Sequence, residues 1–330
     1  MAPRSDGQIW LRAWADFSCR AALSSVTPQT PGRLLALPVL VAALLAISSA
    51  ALWVRLADAP AVVTAFWRVA LSTGILWAVQ LRRLPRLSRD GWRSAVLGGL
   101  MLALHFWCWM LSLETTSVLS STLLVTTTPL WLAMAGRWLP GERPLDWRGW
   151  LGLLVALAGS GAMLLEGSRS TGSEAVTLEG SVQALLGALF AGFYWLAGRA
   201  GRVADEVGDL SVVSTGVAAL ALGLVMVVQG HAFFEGASTQ TWMLWVILAV
   251  FPQLIGHNGL LWALKHWSAT AISVLVLLEP VIATAFAALW GEASPSPRAW
   301  SAALIAVAGV AAVVWFQREA AAAEGDNHAQ

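Results

Sequence analysis

Charge is scarce in this sequence. Asp, Glu, Lys and Arg make up 12% of the 330 residues, whereas a soluble globular protein carries about 25%. Apolar residues make up 58%, and the mean hydropathy is +0.68. A soluble particle of this size could not bury so much apolar surface. The composition argues against a soluble enzyme or a disordered regulator and indicates a protein whose surroundings are lipid.

Cysteine, net charge and nucleotide-binding motifs are scarce as well. Two cysteines, Cys19 and Cys108, predict neither a disulfide framework nor a metal cluster. The net charge of +1 gives no general attraction for nucleic acid. The sequence contains neither a Gly-x-x-x-x-Gly-Lys-Ser/Thr loop nor a His-Glu-x-x-His motif. We therefore expect no cofactor, no metal, no ATP-driven motor and no nucleic-acid partner.

Long apolar runs are abundant. A transmembrane helix needs about 20 mostly apolar residues. Ten such runs are present, at 34–54, 61–81, 94–113, 117–138, 147–165, 180–199, 210–229, 241–263, 268–289 and 299–316. The 20 tryptophans against one tyrosine fit this pattern, because Trp favours the membrane–water boundary. The sequence predicts an all-α polytopic membrane protein with ten transmembrane helices.

The basic residues predict the orientation of these spans. Of the 20 Lys and Arg residues, sixteen fall on one side of the predicted spans, three on the other and Arg68 inside a span. Cytoplasmic loops carry the excess of positive charge, so residues 1–33 and the tail 317–330 are predicted to be cytoplasmic. Whether residues 1–32 form a helix on the membrane surface or a poorly ordered extension stays open.

An internal repeat divides the chain. The prolines are 151 residues apart and the other landmarks 150 apart: Pro129 and Pro280, the Gly-Glu pairs at 141–142 and 291–292, the Arg-x-Trp pairs at 148–150 and 298–300, and Gly159 and Gly309. The repeat predicts two five-helix units, 34–165 and 180–316, joined by an external linker, 166–179. Five is odd, so the second unit enters the membrane from the opposite side. Such inverted repeats build many secondary transporters.

These features resemble a known family. The segment Phe66-Trp67-Arg68 in the second span, the proline in the fourth and ninth, and the Gly-Glu pairs after them are similar to the EamA-type branch of the drug/metabolite transporter superfamily. The resemblance implies a multi-pass carrier of the bacterial inner membrane. Many members of the family export amino acids, metabolites or toxic compounds, so it also implies a small-molecule substrate and export.

Two charged residues, Arg68 and Glu279, lie inside predicted spans away from the span ends, where such side chains usually face a cavity or a partner. Glu279 is predicted as a proton-coupling group beside the cavity. The alternative is a protonated carboxyl that is hydrogen-bonded to a neighbouring helix. Arg68 is predicted to hold a substrate carboxylate or to pair with Glu279. The alternative is an architectural role, with the guanidinium bound to a helix carbonyl or reaching the membrane surface.

Two histidines stand at similar places in the two repeats. His105 and His257 are 152 residues apart and are predicted to line the central cavity as substrate-binding residues. Trp109 shares a helix face with His105, and Asn258 adds polar capacity beside His257. The alternative is that the histidines are hydrogen-bonded core residues.

The aromatic residues Tyr194, Trp107, Trp131, Trp195 and Trp262 are predicted away from the interfaces, either as an aromatic wall for the substrate or as packing. Together the features predict a secondary transporter that works by alternating access, not an enzyme. Facilitative exchange without proton coupling remains an alternative, as, more remotely, does an intramembrane enzyme. Membrane lipid is an expected partner, and a homodimer stays open.

Overall fold

The computed structural model describes residues 30–116, 118–135, 144–171, 177–202, 206–289 and 296–328, which are helical apart from short connections. The helices are α1 Thr30–Ser48, α2 Ala50–Leu56, α3 Ala61–Val79, α4 Arg89–Thr115, α5 Val118–Val125, α6 Thr128–Ala135, α7 Trp147–Thr171, α8 Leu178–Arg202, α9 Val207–Val228, α10 Thr239–Leu248, α11 Asn258–Ala263, α12 Ala269–Val276, α13 Glu279–Leu289 and α14 Pro297–His328. A π-helical segment, Ala249–His257, joins α10 to α11.

Within the described residues, seven helices are long and apolar enough to cross a membrane: Leu37–Leu56, Ala61–Val79, Arg89–Thr115, Leu178–Gly201, Val207–Val228, Thr239–Ala263 and Pro297–Gln317. Two shorter apolar stretches, Ser121–Met134 and Ala269–Ala283, fall on the fourth and ninth predicted spans. The remaining predicted span coincides with α7. The chain is a multi-pass helical membrane protein, and the predicted number of ten spans is not confirmed.

The fourth and ninth predicted spans are each broken in the middle, whereas the sequence analysis treated them as continuous. The breaks lie at 126–127 and 277–278, directly before Thr128-Pro129 and Glu279-Pro280. Proline has no backbone N–H and its ring clashes with the carbonyl four residues earlier, so it interrupts the helix. The break between α5 and α6 lies 151 residues before the break between α12 and α13, so it falls at the same place in both repeats.

The eighth predicted span contains a π-helix that its counterpart in the first repeat lacks. Ser88 and Ser238 cap α4 and α10 in the same way, accepting hydrogen bonds from Gly91 and Thr241, and they are 150 residues apart. The spacing is 152 at His105 and His257, after the π segment. A π-helix holds more residues per turn than an α-helix. The π segment therefore accommodates the two extra residues and keeps the two histidines in equivalent places.

The last helix of each repeat crosses the other at a pair of glycines. A Cβ on Gly159 would overlap the backbone of Ala306, and a Cβ on Gly309 would overlap the backbone of Ala156. Each residue lies 150 positions from its counterpart, so the contact is reciprocal, as in an interface with a two-fold axis. Going from 156 to 159 along α7 corresponds to going from 309 to 306 along α14, so the two helices run antiparallel.

The second helices of the repeats show the same relation. Phe66 packs against Gly223, and Thr73 packs against Gly216, its hydroxyl also donating to Thr215 Oγ1 at 2.8 Å. These contacts are again reciprocal at a spacing of 150 and antiparallel. Equivalent helices that face each other in opposite directions across a local two-fold axis are what an inverted repeat requires. The predicted N-terminal segment up to residue 29 and the Gly-Glu pairs at 141–142 and 291–292 lie outside the described residues.

Candidate functional site

The breaks in the two interrupted spans meet at one buried cavity. It has a volume of about 40 Å³ and lies between the two repeats. Five of the seven side chains predicted for substrate binding or proton coupling line this cavity: Arg68, His105, Trp109, His257 and Glu279. The lining residues are Ile47, Ala50, Arg68, His105, Trp109, Val125, Thr126, Thr128, Ala191, Trp195, His257, Val276 and Glu279.

Arg68 is fully buried and held along one edge of its guanidinium. Its Nε donates to Gln253 Oε1 at 3.2 Å, and its Cζ lies 4.1 Å from the centroid of the Phe106 ring. The two terminal nitrogens, Nη1 and Nη2, are buried and have no hydrogen-bond partner among the described residues. A guanidinium fixed through Nε leaves its two-pronged end free for an acceptor with two oxygens.

Glu279 is the first residue of α13 and is 7% exposed. Its counterpart Thr128 is the first residue of α6, and its hydroxyl oxygen lies 3.1 Å from the carbonyl oxygen of Ala188. Both side chains line the cavity, so the N-terminal ends of two half-helices meet there. Helix N-termini carry partial positive charge and favour anions. The acid is present in one repeat and replaced by a hydroxyl in the other.

Threonine hydroxyls satisfy the carbonyls at the end of α5. The hydroxyls of Thr126, Thr127 and Thr128 donate to the carbonyls of Thr122 (2.9 Å), Leu124 (2.6 Å) and Val125 (3.0 Å). A broken helix inside a bilayer needs such local partners for its freed backbone groups. The run of three threonines therefore stabilises the break that Pro129 imposes.

His105 and His257 meet at the cavity, with ring centroids 5.9 Å apart. His105 Nδ1 lies 2.9 Å from the carbonyl oxygen of Gly187, so Nδ1 carries a proton and donates it. The contact depends on close helix approach, because a Cβ on Gly187 would lie 3.3 Å from the backbone nitrogen of Trp109. The Nδ1 atom of His257 is buried and has no partner among the described residues.

The aromatic residues are placed unequally. Trp109 stacks on His105 with 6.2 Å between ring centroids, and Trp195 forms another part of the cavity wall. Tyr194 is buried, 6.1 Å from the His257 ring, behind the lining. Asn258 is also buried outside the lining, and both polar atoms of its amide lack partners within the described residues. The structure thus brings six of the predicted residues together and leaves Tyr194 and Asn258 beside the cavity. The other predicted aromatic residues do not line the cavity: Trp107, Trp131 and Trp262.

The sequence analysis did not select Gln253 or Phe106, which hold Arg68, nor Thr126 in the break. Gln253 carried a usable signal, because an amide in an apolar span needs a partner and this one lies four residues before His257. Phe106 carried none, since a phenyl ring in a span looks like packing.

Two sets of contacts along α3 connect the repeats outside the cavity lining. Beside Arg68, Trp67 Nε1 donates to the carbonyl of Phe233 at 2.7 Å, and the Trp67 ring stacks on Trp245. Past the C-terminal end of α3, Asp209 accepts from Arg83 Nη2 at 3.4 Å and from the backbone nitrogen of Arg86 at 2.9 Å. Pockets for organic ligands measure about 300–1,000 Å³, so a 40 Å³ cavity must open before a solute enters.

The model of the EamA-like transporter family matches residues 32–165 and 178–315. The chain is similar in fold to a protein of known crystal structure, with a TM-score of 0.69 and 23% sequence identity. The match covers 86% of this chain and 98% of the other. That similarity shows a shared fold. Among curated proteins, none matches the sequence.

Proposed function

Because the chain belongs to the EamA-like transporter family, we propose that it is a secondary transporter that moves small organic solutes across the membrane by alternating access. Members of that family are transporters rather than enzymes. The observation that carries the proposal is the buried cavity between the repeats, where Arg68 and Glu279 lie at the breaks of two interrupted helices. Charged side chains and non-helical backbone are tolerated at membrane depth where they line such a cavity.

The local two-fold relation supports the alternating part of the proposal. Two similar units in opposite orientations can exchange conformations, which opens the cavity first to one side and then to the other. The contacts at Trp67 and at Asp209 join the repeats at two separate places along α3, one beside Arg68 and the other past the C-terminal end of the helix. In the proposed cycle these two sets of contacts break in turn.

Proton coupling through Glu279, with assistance from His105 or His257, is part of the proposal. It is supported by the position of the buried carboxyl at the cavity and by the two imidazoles that line the same cavity. Export is the expected direction, on the family resemblance. The distribution of basic residues supports an orientation with both termini in the cytoplasm, and the family resemblance supports the bacterial inner membrane.

Flux in liposomes tests the proposal. Ligand binding raises the melting temperature of the native state, so a thermal-shift screen of neutral, cationic and anionic solutes selects candidates. Protein-dependent flux of a selected solute, faster with an imposed pH gradient, is expected. Flux that ignores the gradient would favour the facilitative exchanger, and the absence of flux for every selected solute would overturn the transporter.

A further inference from the structure

Resting on the proposed function, we propose that the cavity binds the carboxylate of an apolar or aromatic monocarboxylate, which replaces the Glu279 carboxylate as the counter-charge of Arg68. One proton then accompanies each bound carboxylate in the same direction, so export of the solute runs down its own concentration gradient and is not driven by proton entry. The solute class and the electroneutral stoichiometry both follow from which polar atoms around the cavity lack partners.

The polar atoms that lack partners at this site are mainly donors. Within the described residues, Arg68 Nη1 and Nη2 and the indole Nε1 atoms of Trp109 and Trp195 are buried without an acceptor. Gln253 Nε2, next to Arg68, lacks one as well. A carboxylate is an acceptor with two oxygens and no donor, and the fork of an arginine matches it with two parallel hydrogen bonds. A cationic or donor-rich group would leave these atoms unsatisfied.

The helix ends add a second reason. The half-helices α6 and α13, of 8 and 11 residues, both begin at the cavity, at Thr128 and Glu279. Their N-terminal ends favour an anion. The C-terminal ends of α5 and α12 also reach the cavity, at Val125 and Val276, and at α5 the Thr126 hydroxyl donates to the carbonyl of Thr122. The Arg68 guanidinium, together with the two N-terminal ends, favours a negative group beside it.

The charges around Glu279 explain why a proton must follow. The titratable or charged side chains that line the cavity with Glu279 are Arg68 from α3, His105 from α4 and His257 from the π segment, and Tyr194 from α8 lies 6.1 Å from the His257 ring. The neighbouring Thr126 in the break and Thr128 in α6 are neutral. With the histidines and Tyr194 neutral, Arg68 and an ionised Glu279 balance each other. A substrate carboxylate adds one negative charge, and a proton on Glu279 restores the balance.

The bound proton keeps the cavity free of net charge throughout the transport cycle. The empty form carries Arg68 and ionised Glu279, and the loaded form carries Arg68, the substrate carboxylate and protonated Glu279. Both forms have no net charge at the cavity, so both can change conformation without moving an unpaired charge through the membrane. The apolar walls formed by Ile47, Ala50, Val125 and Val276 fit a solute with an apolar body.

Calorimetry on the purified full-length protein in detergent tests the inference without a bilayer. The probes are phenylacetate, 3-phenylpropionate and hexanoate, each paired with its uncharged amide. At least one carboxylate should bind roughly tenfold or more tightly than its amide, because the amide cannot form the charged bidentate pair. Repeating the titration in buffers of different ionisation heats counts the protons taken up, which should rise with pH to one per bound carboxylate.

Two variants sharpen the experiment. Glu279→Gln should still bind the carboxylate but take up no proton at any pH. Glu206→Gln removes an exposed carboxylate at the start of α9, away from the cavity, and should behave like the parent. If Glu279→Gln does not fold, the proton count of the parent protein decides alone.

Calorimetry tests the carboxylate and its proton, whereas flux tests whether the protein is a transporter. If no carboxylate binds more tightly than its amide, or binding takes up no proton at any pH, the inference is overturned even when the flux screen identifies neutral or cationic substrates. Benzenephosphonate is the comparison anion, and tighter binding of it than of every carboxylate would also overturn the assignment of a carboxylate. Absence of flux for every solute removes the proposed function instead.

Discussion

At the residue scale, Arg68 organises the site. Its guanidinium is removed from water and is held by Gln253 and the Phe106 ring. A charged side chain in a membrane span costs about 2.5–3.5 kcal/mol on insertion scales, so its environment has to compensate. Among the residues that the structure describes, Arg68 has one hydrogen bond and one aromatic face, and its two terminal nitrogens remain for another acceptor.

Replacing the residue that positions Arg68 should weaken substrate binding. In Gln253→Ala the acceptor for Nε is lost and the guanidinium can rotate, so the half-saturating solute concentration should rise about tenfold, the equivalent of one hydrogen bond to a charged group. Concentration-dependent flux in liposomes measures it. Gln229→Ala, at the exposed end of α9, is the matched control. Equal half-saturation in both variants would show that Gln253 does not position Arg68.

Neutralising Glu279 should make the transport rate independent of an imposed pH gradient. In Glu279→Gln the cavity keeps its shape but loses the carboxyl that gains and loses the coupled proton in the proposed cycle, so flux should no longer respond to an imposed pH gradient. Glu206→Gln should respond like the parent protein. Flux in liposomes with the internal pH varied is the measurement. A Glu279→Gln protein whose flux follows the gradient as the parent does would refute the assignment of proton coupling to this residue.

At the element scale, the interrupted helices place the site. The breaks before Pro129 and Pro280 bring Thr128 and Glu279 to the cavity, and the π segment keeps His257 opposite His105. A proline inside a helix costs about 3 kcal/mol. Both repeats therefore contain a proline that weakens the helix and, through the break, brings a polar side chain to the cavity.

Removing one proline should stabilise the protein and slow it. Pro280→Ala restores a backbone donor and lets α12 continue into α13, which moves Glu279 away from its present place. We expect an equal or higher melting temperature together with a lower transport rate. Pro297→Ala is the control, because Pro297 is the first residue of α14, where a proline is tolerated. Unchanged transport by Pro280→Ala would mean that the break is not required for function.

The crossing of α7 and α14 should tolerate no added side chain. Gly159→Ala places a methyl group against the backbone of Ala306, and overpacking of this kind typically costs about 1–3 kcal/mol. Gly74→Ala makes the same change in α3, where nothing lies within 4 Å of the added Cβ, and should be neutral or stabilising. Thermal unfolding in detergent compares the two. Equal melting temperatures would contradict the close crossing.

At the scale of the whole molecule, the sequence predicted the helical class, the repeated unit and the residues that meet at the centre. Hydropathy averaged over about 20 residues and landmarks spaced 150 residues apart do not depend on the local backbone conformation, so both remain readable in the sequence. The interruptions were missed because an apolar run looks the same whether the helix is continuous or broken at Pro280. Gln253 was missed as a site residue because its role depends on a partner 185 positions away.

The central claim is that a cavity between two oppositely oriented repeats opens alternately to the two sides of the membrane. Its most direct test is a single cysteine at Thr126, in a protein with Cys19→Ser and Cys108→Ala, treated with a membrane-impermeant thiol reagent in vesicles of either orientation. The account predicts labelling from both sides, slowed by bound solute. Labelling from one side alone under every solute condition would contradict it.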